Sequence, residues 1–110
     1  MLKVDMEYDK GILYVRLKGV LDRKVCYKIN NYIVPVVLKH KIKYLVFNLG
    51  MLQDIDEAGL DALLNVKCAI RTNKGKICLC DVSDIIRLKL KRIKMRIASN
   101  ELAANHLIQI

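Results

Sequence analysis

The segment Lys43–Leu64 constrains the fold of this 110-residue chain more than any other part of it. An apolar strand pattern at Tyr44–Phe47 runs into a polar, acidic loop, and a helical pattern begins near Glu57. Leucines and a valine then recur at the spacing of one helix face. Such a strand–loop–helix unit indicates an α/β domain, and it places the start of the helix at the surface, where a partner can contact it.

Length and composition predict a single packed domain over residues 1–110. The chain is within the usual domain size, and 54% hydrophobic residues with one proline and five glycines argue against disorder. Lysine or arginine interrupts every apolar stretch before it reaches the ~18–20 residues of a membrane span. Four cysteines are too few for a disulfide framework and no signal segment is apparent, so we predict a cytoplasmic protein without a membrane span.

The net charge of +9 is unevenly distributed. Arg23–Phe47 contains six Lys or Arg residues and no acid, and Arg87–Arg96 contains six more. Four carboxylates, in contrast, occur within residues 54–61. We therefore expect a basic surface with one acidic spot at the start of the second helix. Acids there gain about 0.3–1 kcal/mol each from the helix dipole, which is a structural reason for their presence.

Hydrophobic periodicity predicts a mixed sheet of four to five strands with about four helices packed on it. Pro35 lies within the first helix, so a kink or an early end is expected near Ile33. The predicted elements are the hairpin Leu2–Tyr8 and Ile12–Leu17, the helix Arg23–Leu38, the strand Tyr44–Asn48, the helix Glu57–Arg71, the strand Ile77–Val82, a helix from Asp84 to about Lys91, the strand Met95–Ala98, and a last helix through Leu107 that Ser99 or Asn100 caps.

Two short elements, Gly19–Asp22 and the turn Asp56–Leu60, resemble those of the STAS domain, the fold of bacterial anti-sigma factor antagonists. The resemblance covers nearly the whole chain. It implies a regulatory protein, not an enzyme, that binds an anti-sigma factor (of the serine-kinase type or another) or a related regulatory protein. The partner-binding face that it implies consists of Asp22, Gln53, Asp54, Asp56, Glu57, Ala58, Gly59, Leu60 and Asp61.

Position 57 departs from the pattern of that family. The turn usually reads Asp-Ser-Ser-Gly-Leu or Asp-Ser-Thr-Gly-Leu, and a partner kinase phosphorylates its first hydroxyl residue. Glu57 occupies this acceptor position and has no hydroxyl, so phosphorylation there is chemically impossible. Two interpretations stay open. Glu57 mimics the phosphorylated state, or the protein binds a different partner and Glu57 only begins the helix.

Metal binding and catalysis are not predicted. The cysteines form no C-x-x-C pair and the two histidines are isolated, so the thiols are interpreted as small buried hydrophobes. The chain contains neither a nucleophile elbow nor a glycine-rich phosphate loop. We therefore expect no cofactor and no metal.

Two alternatives to the antagonist function remain. Ala58 is similar to the residue at this place in scaffold and transport-associated STAS domains, which suggests a subunit of a transport or signalling complex. The basic run Arg87–Arg96 could instead contact nucleic acid or a membrane surface. This run has no aromatic residue for stacking on bases, so no nucleic-acid partner is expected. The sequence also allows a homodimer.

Overall fold

The computed structural model describes residues 1–109, in which five strands and four α-helices follow one another in the predicted order. A π-helix, Ile29–Ile33, precedes the first α-helix, and a 3₁₀ turn, Leu90–Arg92, follows the third. The strands are β1 (Leu2–Asp9), β2 (Ile12–Leu21), β3 (Tyr44–Ile55), β4 (Lys76–Cys80) and β5 (Arg96–Ala98). The α-helices are α1 (Val34–Lys39), α2 (Glu57–Thr72), α3 (Asp84–Lys89) and α4 (Glu101–Gln109).

The five strands form one mixed sheet in the order β1-β2-β3-β4-β5. β1 and β2 are antiparallel, and the turn between them places Lys10 and Gly11 at φ 51° and 84°, as the tightest hairpin turns require. The pairs β2–β3, β3–β4 and β4–β5 are all parallel. The prediction of an α/β domain with a mixed sheet is therefore confirmed.

The sheet has a core on each face. Alternation along β2 directs Leu13, Val15 and Leu17 into the larger core, which α1, α2 and α3 help to form. Ile12 and Tyr14 point the other way and pack with residues of α4. The same alternation in β4 places Cys78 and Cys80 in the α4 core and Leu79 in the larger one.

The prediction of one α-helix over Arg23–Leu38 was wrong in its first half. Residues 23–26 form a turn, and the π-helix Ile29–Ile33 comes before α1. Pro35 accounts for the change, since it has no N–H to donate to a preceding carbonyl and lies in the first turn of α1, where none is needed. The irregularity expected near Ile33 is confirmed, although it is a π-helix and not a break.

The central strand is longer than predicted. β3 continues past Asn48 to Ile55 because β2 also continues to Leu21, and the two ends pair in parallel. Two register shifts interrupt this pairing, and the buried residues Leu49, Leu52 and Ile55 occur at every third position. Because this spacing is not the alternation typical of a strand, the sequence pattern did not predict a strand here. The acidic loop expected before α2 is therefore a strand in the structure.

The C-terminal part agrees closely with prediction. The third helix ends in the 3₁₀ turn, and β5 begins one residue after the predicted strand. Asn100, one of the two predicted caps, accepts a hydrogen bond from the Ala103 N–H at 2.8 Å. Within residues 1–109, no helix combines the length and the apolar character needed to cross a membrane.

Candidate functional site

The ends of two parallel strands and the start of a helix meet at one corner of the molecule. Leu21, the last residue of β2, lies beside Ile55, the last residue of β3, and the Asp56 N–H donates to the Leu21 carbonyl at 3.2 Å. α2 begins immediately afterwards. This arrangement, which we call the α2 corner, contains all nine residues of the predicted binding face: Asp22, Gln53, Asp54, Asp56, Glu57, Ala58, Gly59, Leu60 and Asp61.

Asp56 holds the α2 corner together through both oxygens of its carboxylate. Oδ1 accepts from the Gly59 N–H at 2.9 Å and so caps α2. Oδ2 accepts from the Arg23 N–H at 3.0 Å, in the turn that follows β2. Asp22 forms a local turn beside it by accepting from the Lys24 N–H at 3.0 Å. The carboxylate of Asp56 is therefore committed to backbone groups of two separate segments.

Gly59 and Leu60 support the corner from inside. Both residues are buried, and only 3% of Leu60 is exposed. A Cβ at position 59 would collide with the Leu21 carbonyl oxygen. Glycine is thus the residue that lets the first turn of α2 approach the end of β2.

The surface of the corner is acidic. The side chains of Glu57 and Asp61 are 78% and 64% exposed, and that of Asp54 is 52% exposed. Gln53 is also exposed, and Ala58 and Asp22 are half-buried. A molecule that approaches the start of α2 would therefore meet carboxylates first.

These carboxylates already have cationic partners within the chain. Arg92, in the 3₁₀ turn after α3, contacts Glu57 through Nε and Asp61 through Nη2, both at 2.9 Å. Lys89, at the end of α3, pairs with Asp54. We refer to these five residues as the corner cluster.

The ion pairs of the corner cluster shift two pKa values in the directions expected. The hydrogen bond from Lys89, with a smaller effect from the Ile55 N–H, holds the pKa of Asp54 below its ordinary value. The hydrogen bond to Asp61 and the charge of Glu57 raise the pKa of Arg92. The partners of these ion pairs lie 31 to 35 residues apart in the sequence, so no local pattern joins the basic run to the acidic spot. Their opposite charge was the only available signal that they meet.

A second group of ion pairs, which sequence analysis also missed, fastens α4 to the sheet. Glu101, the first residue of α4, accepts from Nε and Nη2 of Arg16 at 2.8 and 2.9 Å, and from Nδ2 of Asn48 at 2.8 Å. Arg16 also contacts Glu7 and Asp5 of β1 at 3.0 and 3.4 Å. Arg16, chiefly, holds the pKa of Glu101 below its ordinary value. These five residues are the α4 cluster.

The described residues offer little for metal or thiol chemistry. Between Met1 and Gln109, no group of three or more His, Cys, Asp and Glu side chains is arranged to hold a metal ion. All four cysteines are free thiols; Cys78 and Cys80 are buried as predicted, but Cys68 is exposed and Cys26 is half-buried, so the prediction of buried thiols was wrong for these two. Burial raises the pKa of Cys78 and Cys80, so both remain protonated and unreactive at neutral pH.

Comparison with known proteins identifies the family. The model of the STAS domain family matches residues 3–102. The chain therefore belongs to the STAS domain family. Its match to the anti-sigma F factor antagonist of Paenibacillus polymyxa is 29% identical over 82 residues, which are 74% of this chain and 70% of that protein.

Solved structures share the fold of this STAS domain at lower identity. The anti-sigma factor antagonist SpoIIAA in its unphosphorylated form has a TM-score of 0.80 and 19% identity, covering 98% of this chain and 100% of that one. The phosphorylated form of SpoIIAA from Bacillus gives a TM-score of 0.76 at 19% identity, with coverage of 96% and 99%. A sulfate transporter family protein from Wolinella succinogenes gives a TM-score of 0.77 at 16% identity, with coverage of 94% and 88%.

Proposed function

We propose that this protein is a regulatory protein of the anti-sigma factor antagonist type, which acts in the cytoplasm by binding an anti-sigma factor and has no catalytic activity. The α2 corner is the proposed contact surface. Glu57 stands at the position where antagonists of this family carry a phosphorylated hydroxyl. The proposal therefore includes that phosphorylation at this position does not switch the protein.

The geometry of the α2 corner is the observation that carries the proposal. The backbone at the start of α2 is held by Asp56 and by the close packing of Gly59, so the exposed side chains project from a rigid base. A rigid surface loses little entropy when a partner binds. Exposed acidic residues also attract a basic partner surface and accelerate its approach.

The ion pair of Glu57 with Arg92 supports the proposal that the protein is always able to bind its anti-sigma factor. A phosphoserine carries about −1.5 to −2 charges and three acceptor oxygens, whereas a carboxylate carries one charge and two oxygens. Arg92 also neutralises that charge at 2.9 Å. Arg92 is shared with Asp61, so these three side chains together keep about one negative charge, which is less than that of a phosphate and makes Glu57 a poor copy of one.

Calorimetric titration against the anti-sigma factors of the source organism tests the proposal. We expect the native protein to bind one of them, and the Glu57→Ser variant to bind with similar affinity. Binding by the serine variant alone would mean that Glu57 holds the protein in an inactive, phosphate-like state. The absence of binding by both variants would overturn the antagonist function.

A matched control distinguishes the effect of replacing Glu57 from the effect of removing a negative charge anywhere on the surface. Glu7→Ser makes the same substitution on β1, at a side chain that is 56% exposed and belongs to the α4 cluster. We expect Glu7→Ser to leave the affinity unchanged. A measurable loss of affinity in Glu7→Ser that equals or exceeds the change in Glu57→Ser would contradict the placement of the contact surface at the α2 corner.

A scaffold subunit of a transport or signalling complex is the second candidate function, and Ala58 in the turn favours it. This candidate predicts no binding to any anti-sigma factor and stable co-purification with a larger complex. A basic nucleic-acid or membrane-surface binder has less support, because Lys89 and Arg92 of the basic run pair with carboxylates of the same chain.

A further inference from the structure

The loops that precede three neighbouring strands bring exposed lysines to one edge of the sheet. β2, β3 and β4 are parallel, and Ile12, Tyr44 and Lys76 lie side by side at their starts. The loops before these strands therefore lie at the edge opposite the α2 corner, where β2 and β3 end. These loops and the last residue of α1 carry five exposed lysines, which we call the lysine edge: Lys10, Lys39, Lys41, Lys43 and Lys74.

The lysine edge has almost no acid to neutralise it. Lys10, Lys41 and Lys43 line one surface depression together. Asp9 is the single acid in segments 9–12, 39–44 and 73–75. Among residues 1–109, none of the five lysines takes part in an ion pair. Because the exposed carboxylates of the corner cluster lie at the opposite edge, the molecule is positive at one end of the sheet and negative at the other.

Backbone conformation gives an independent reason to attribute a function to these lysines. Lys10, Lys41 and Lys74 have φ angles of 51°, 51° and 60°, in the left-handed region that residues with a Cβ rarely adopt. Glycine and asparagine adopt this conformation with less strain and are the usual residues in such turns. Asp81 is the only other residue besides glycine with a positive φ in the described part of the chain. Lysine at all three positions is therefore explained by its charge and not by the needs of the backbone.

Stabilisation of helix ends accounts for only part of this charge. Lys39 lies in the last turn of α1, and Lys41 and Lys74 follow the ends of α1 and α2, where a cation interacts favourably with the helix dipole. Lys10 follows a strand and Lys43 immediately precedes one, so the dipole gives no reason for these two. A negatively charged surface that covers the whole edge accounts for all five.

The chemistry of the lysine edge favours a lipid bilayer over a protein or a nucleic acid. A lysine ammonium is a hydrated point charge without the planar donor fork with which arginine binds nucleic acids, and lysine is depleted at the centres of protein interfaces. Attraction to anionic lipids requires only positive charge near their surface. Tyr8, which is 61% exposed, lines the same depression as Lys10, and tyrosine is enriched at the boundary between lipid and water.

We propose that the lysine edge docks on the surface of an anionic lipid bilayer, with no segment crossing it. Docking by this edge turns the α2 corner away from the membrane, where its carboxylates avoid repulsion by the anionic lipids and stay accessible to another protein. The proposal does not depend on which partner the α2 corner binds. It also uses lysines outside the basic run Arg87–Arg96, two of whose cations are paired within the chain.

Flotation of the full chain with lipid vesicles tests the proposal. The probes are vesicles of phosphatidylcholine alone and vesicles of phosphatidylcholine with phosphatidylserine, an anionic lipid, in about 0.15 M salt. We expect the native protein to float with the anionic vesicles and to stay in solution with the neutral ones. The absence of flotation with the anionic vesicles would overturn the proposal, and so would equal flotation with both kinds.

Replacement of the three lysines that have positive φ by asparagine separates binding from folding. Lys10→Asn/Lys41→Asn/Lys74→Asn removes three charges, and asparagine adopts this backbone conformation more readily, so the variant should be at least as stable in urea. Each lysine near an anionic surface is worth about fivefold in affinity, so we expect the partition coefficient of the variant to fall by about tenfold or more. Undiminished flotation of this variant would contradict docking by the lysine edge.

Three exposed lysines near the α2 corner provide the matched control. Lys3→Gln/Lys18→Gln/Lys24→Gln removes the same net charge close to the end of β2. If the lysine edge faces the membrane, these side chains lie on the far side of the molecule, and charges more than about 8 Å away are screened at this salt concentration. We expect the control to float as the native protein does. Equal weakening of the two triple variants would overturn the proposal.

Two further measurements distinguish this proposal from its competitors. Binding to a DNA duplex that the asparagine variant loses, without flotation of the native protein, would make the lysine edge a nucleic-acid surface and the membrane proposal wrong. The asparagine variant should also retain the native affinity for an anti-sigma factor, because its substitutions lie at the edge opposite the α2 corner. Flotation and that affinity are measured separately, so the failure of one proposal is distinguishable from the failure of the other.

Discussion

The corner cluster and the α4 cluster each join an arginine to two or more carboxylates, but only the α4 cluster contains a largely buried carboxylate, Glu101, with additional supporting contacts. The carboxylates of the corner cluster are 52–78% exposed, and among residues 1–109 each of them has a cation as its only side-chain partner. In the α4 cluster, Glu101 is 27% exposed, bonds both Nε and Nη2 of Arg16, and accepts a further hydrogen bond from Asn48.

This difference indicates different roles for two similar sets of residues. An exposed ion pair contributes about 0–1 kcal/mol, because water and salt screen it and two long side chains lose freedom. A bidentate, partly buried pair with an additional donor is stronger and fixes geometry. The α4 cluster is therefore expected to hold the fold together. The corner cluster can exchange its internal partners for those of another protein at little cost.

The largest effect on stability is expected when the carboxylate of the α4 cluster is removed. Glu101→Ala leaves the Arg16 fork and the Asn48 amide without their acceptor, and we expect it to lower the free energy of unfolding by about 1.5–3 kcal/mol. Urea denaturation at neutral pH measures this loss. Glu7→Ala is the control, because it removes a more exposed partner of the same Arg16 and should cost about 0–1 kcal/mol. If both variants lost the same free energy of unfolding, the exposure of a carboxylate would not determine how strongly its pairing with Arg16 stabilises the fold.

At the α2 corner, stability is expected to depend on the cap and not on the ion pairs. Asp56→Ala removes the acceptor of both Gly59 and Arg23 N–H groups, and we expect a loss of about 1–2 kcal/mol. Asp56→Asn retains one side-chain oxygen, so it can cap α2 but cannot also accept from Arg23. Denaturation midpoints should therefore rank native, Asn and Ala in decreasing order. An alanine variant as stable as the native protein would show that the cap does not hold the corner.

Acidification should separate the two clusters by the exposure of Glu101 and Asp54, because the pKa values of both carboxylates are lowered. The pKa of Glu101 is lowered from an ordinary 4.5, so its stabilising contribution is complete at neutral pH and is lost as the pH falls through the lowered value. The pKa of Asp54 is lowered in the same direction, but its side chain is solvent-exposed. Denaturation midpoints from pH 7 into the acid range should therefore fall less for Glu101→Gln than for the native protein. The denaturation midpoints of Asp54→Asn should change with pH as those of the native protein do. If Asp54→Asn altered the pH dependence more than Glu101→Gln does, the corner cluster and not the α4 cluster would stabilise the fold.

The sequence predicted the parts of the fold that depend on local patterns. Alternation, capping residues and the turn at Asp56–Leu60 located the hairpin, α2 and α4, and the family resemblance located the corner. Prediction failed where a long-range partner decides the structure. β3 extends to Ile55 only because β2 runs beside it, and Pro35 gave the position of an irregularity without its π-helical form.

The candidate site was predicted as a set of residues but not as a set of contacts. All nine residues lie at the α2 corner, although Gly59 and Leu60 prove to be buried. The pairing of Arg92 with Glu57 and Asp61 depends on how α3 and the 3₁₀ turn fold back beside α2. No local pattern in the sequence contains that information, so a map of charges along the chain could not reveal it.

The smallest effect on stability is expected from Arg92→Gln, even though this substitution breaks two ion pairs. Both pairs are exposed, so the free energy of unfolding should change by about 0–1 kcal/mol. The difference between the variant and the native protein should shrink in ~1 M salt, where the screening length is about 3 Å. A loss as large as that of Glu101→Ala would mean that the corner cluster holds the fold after all.

The same substitution should nevertheless change how a partner is bound, because Arg92 partly neutralises the carboxylate of Glu57. Arg92→Gln leaves the carboxylate of Glu57 without its cation, at the position that we propose to correspond to the phosphorylated residue of an antagonist. If a free negative charge there disfavours the anti-sigma factor, Arg92→Gln should weaken binding, and the additional substitution Glu57→Gln should restore it. Calorimetric affinities of the native protein, both single variants and the double variant provide the thermodynamic cycle. Additive effects would show that Arg92 does not act through Glu57. Stronger binding by Arg92→Gln would instead mean that Arg92 competes with the partner for the acidic surface.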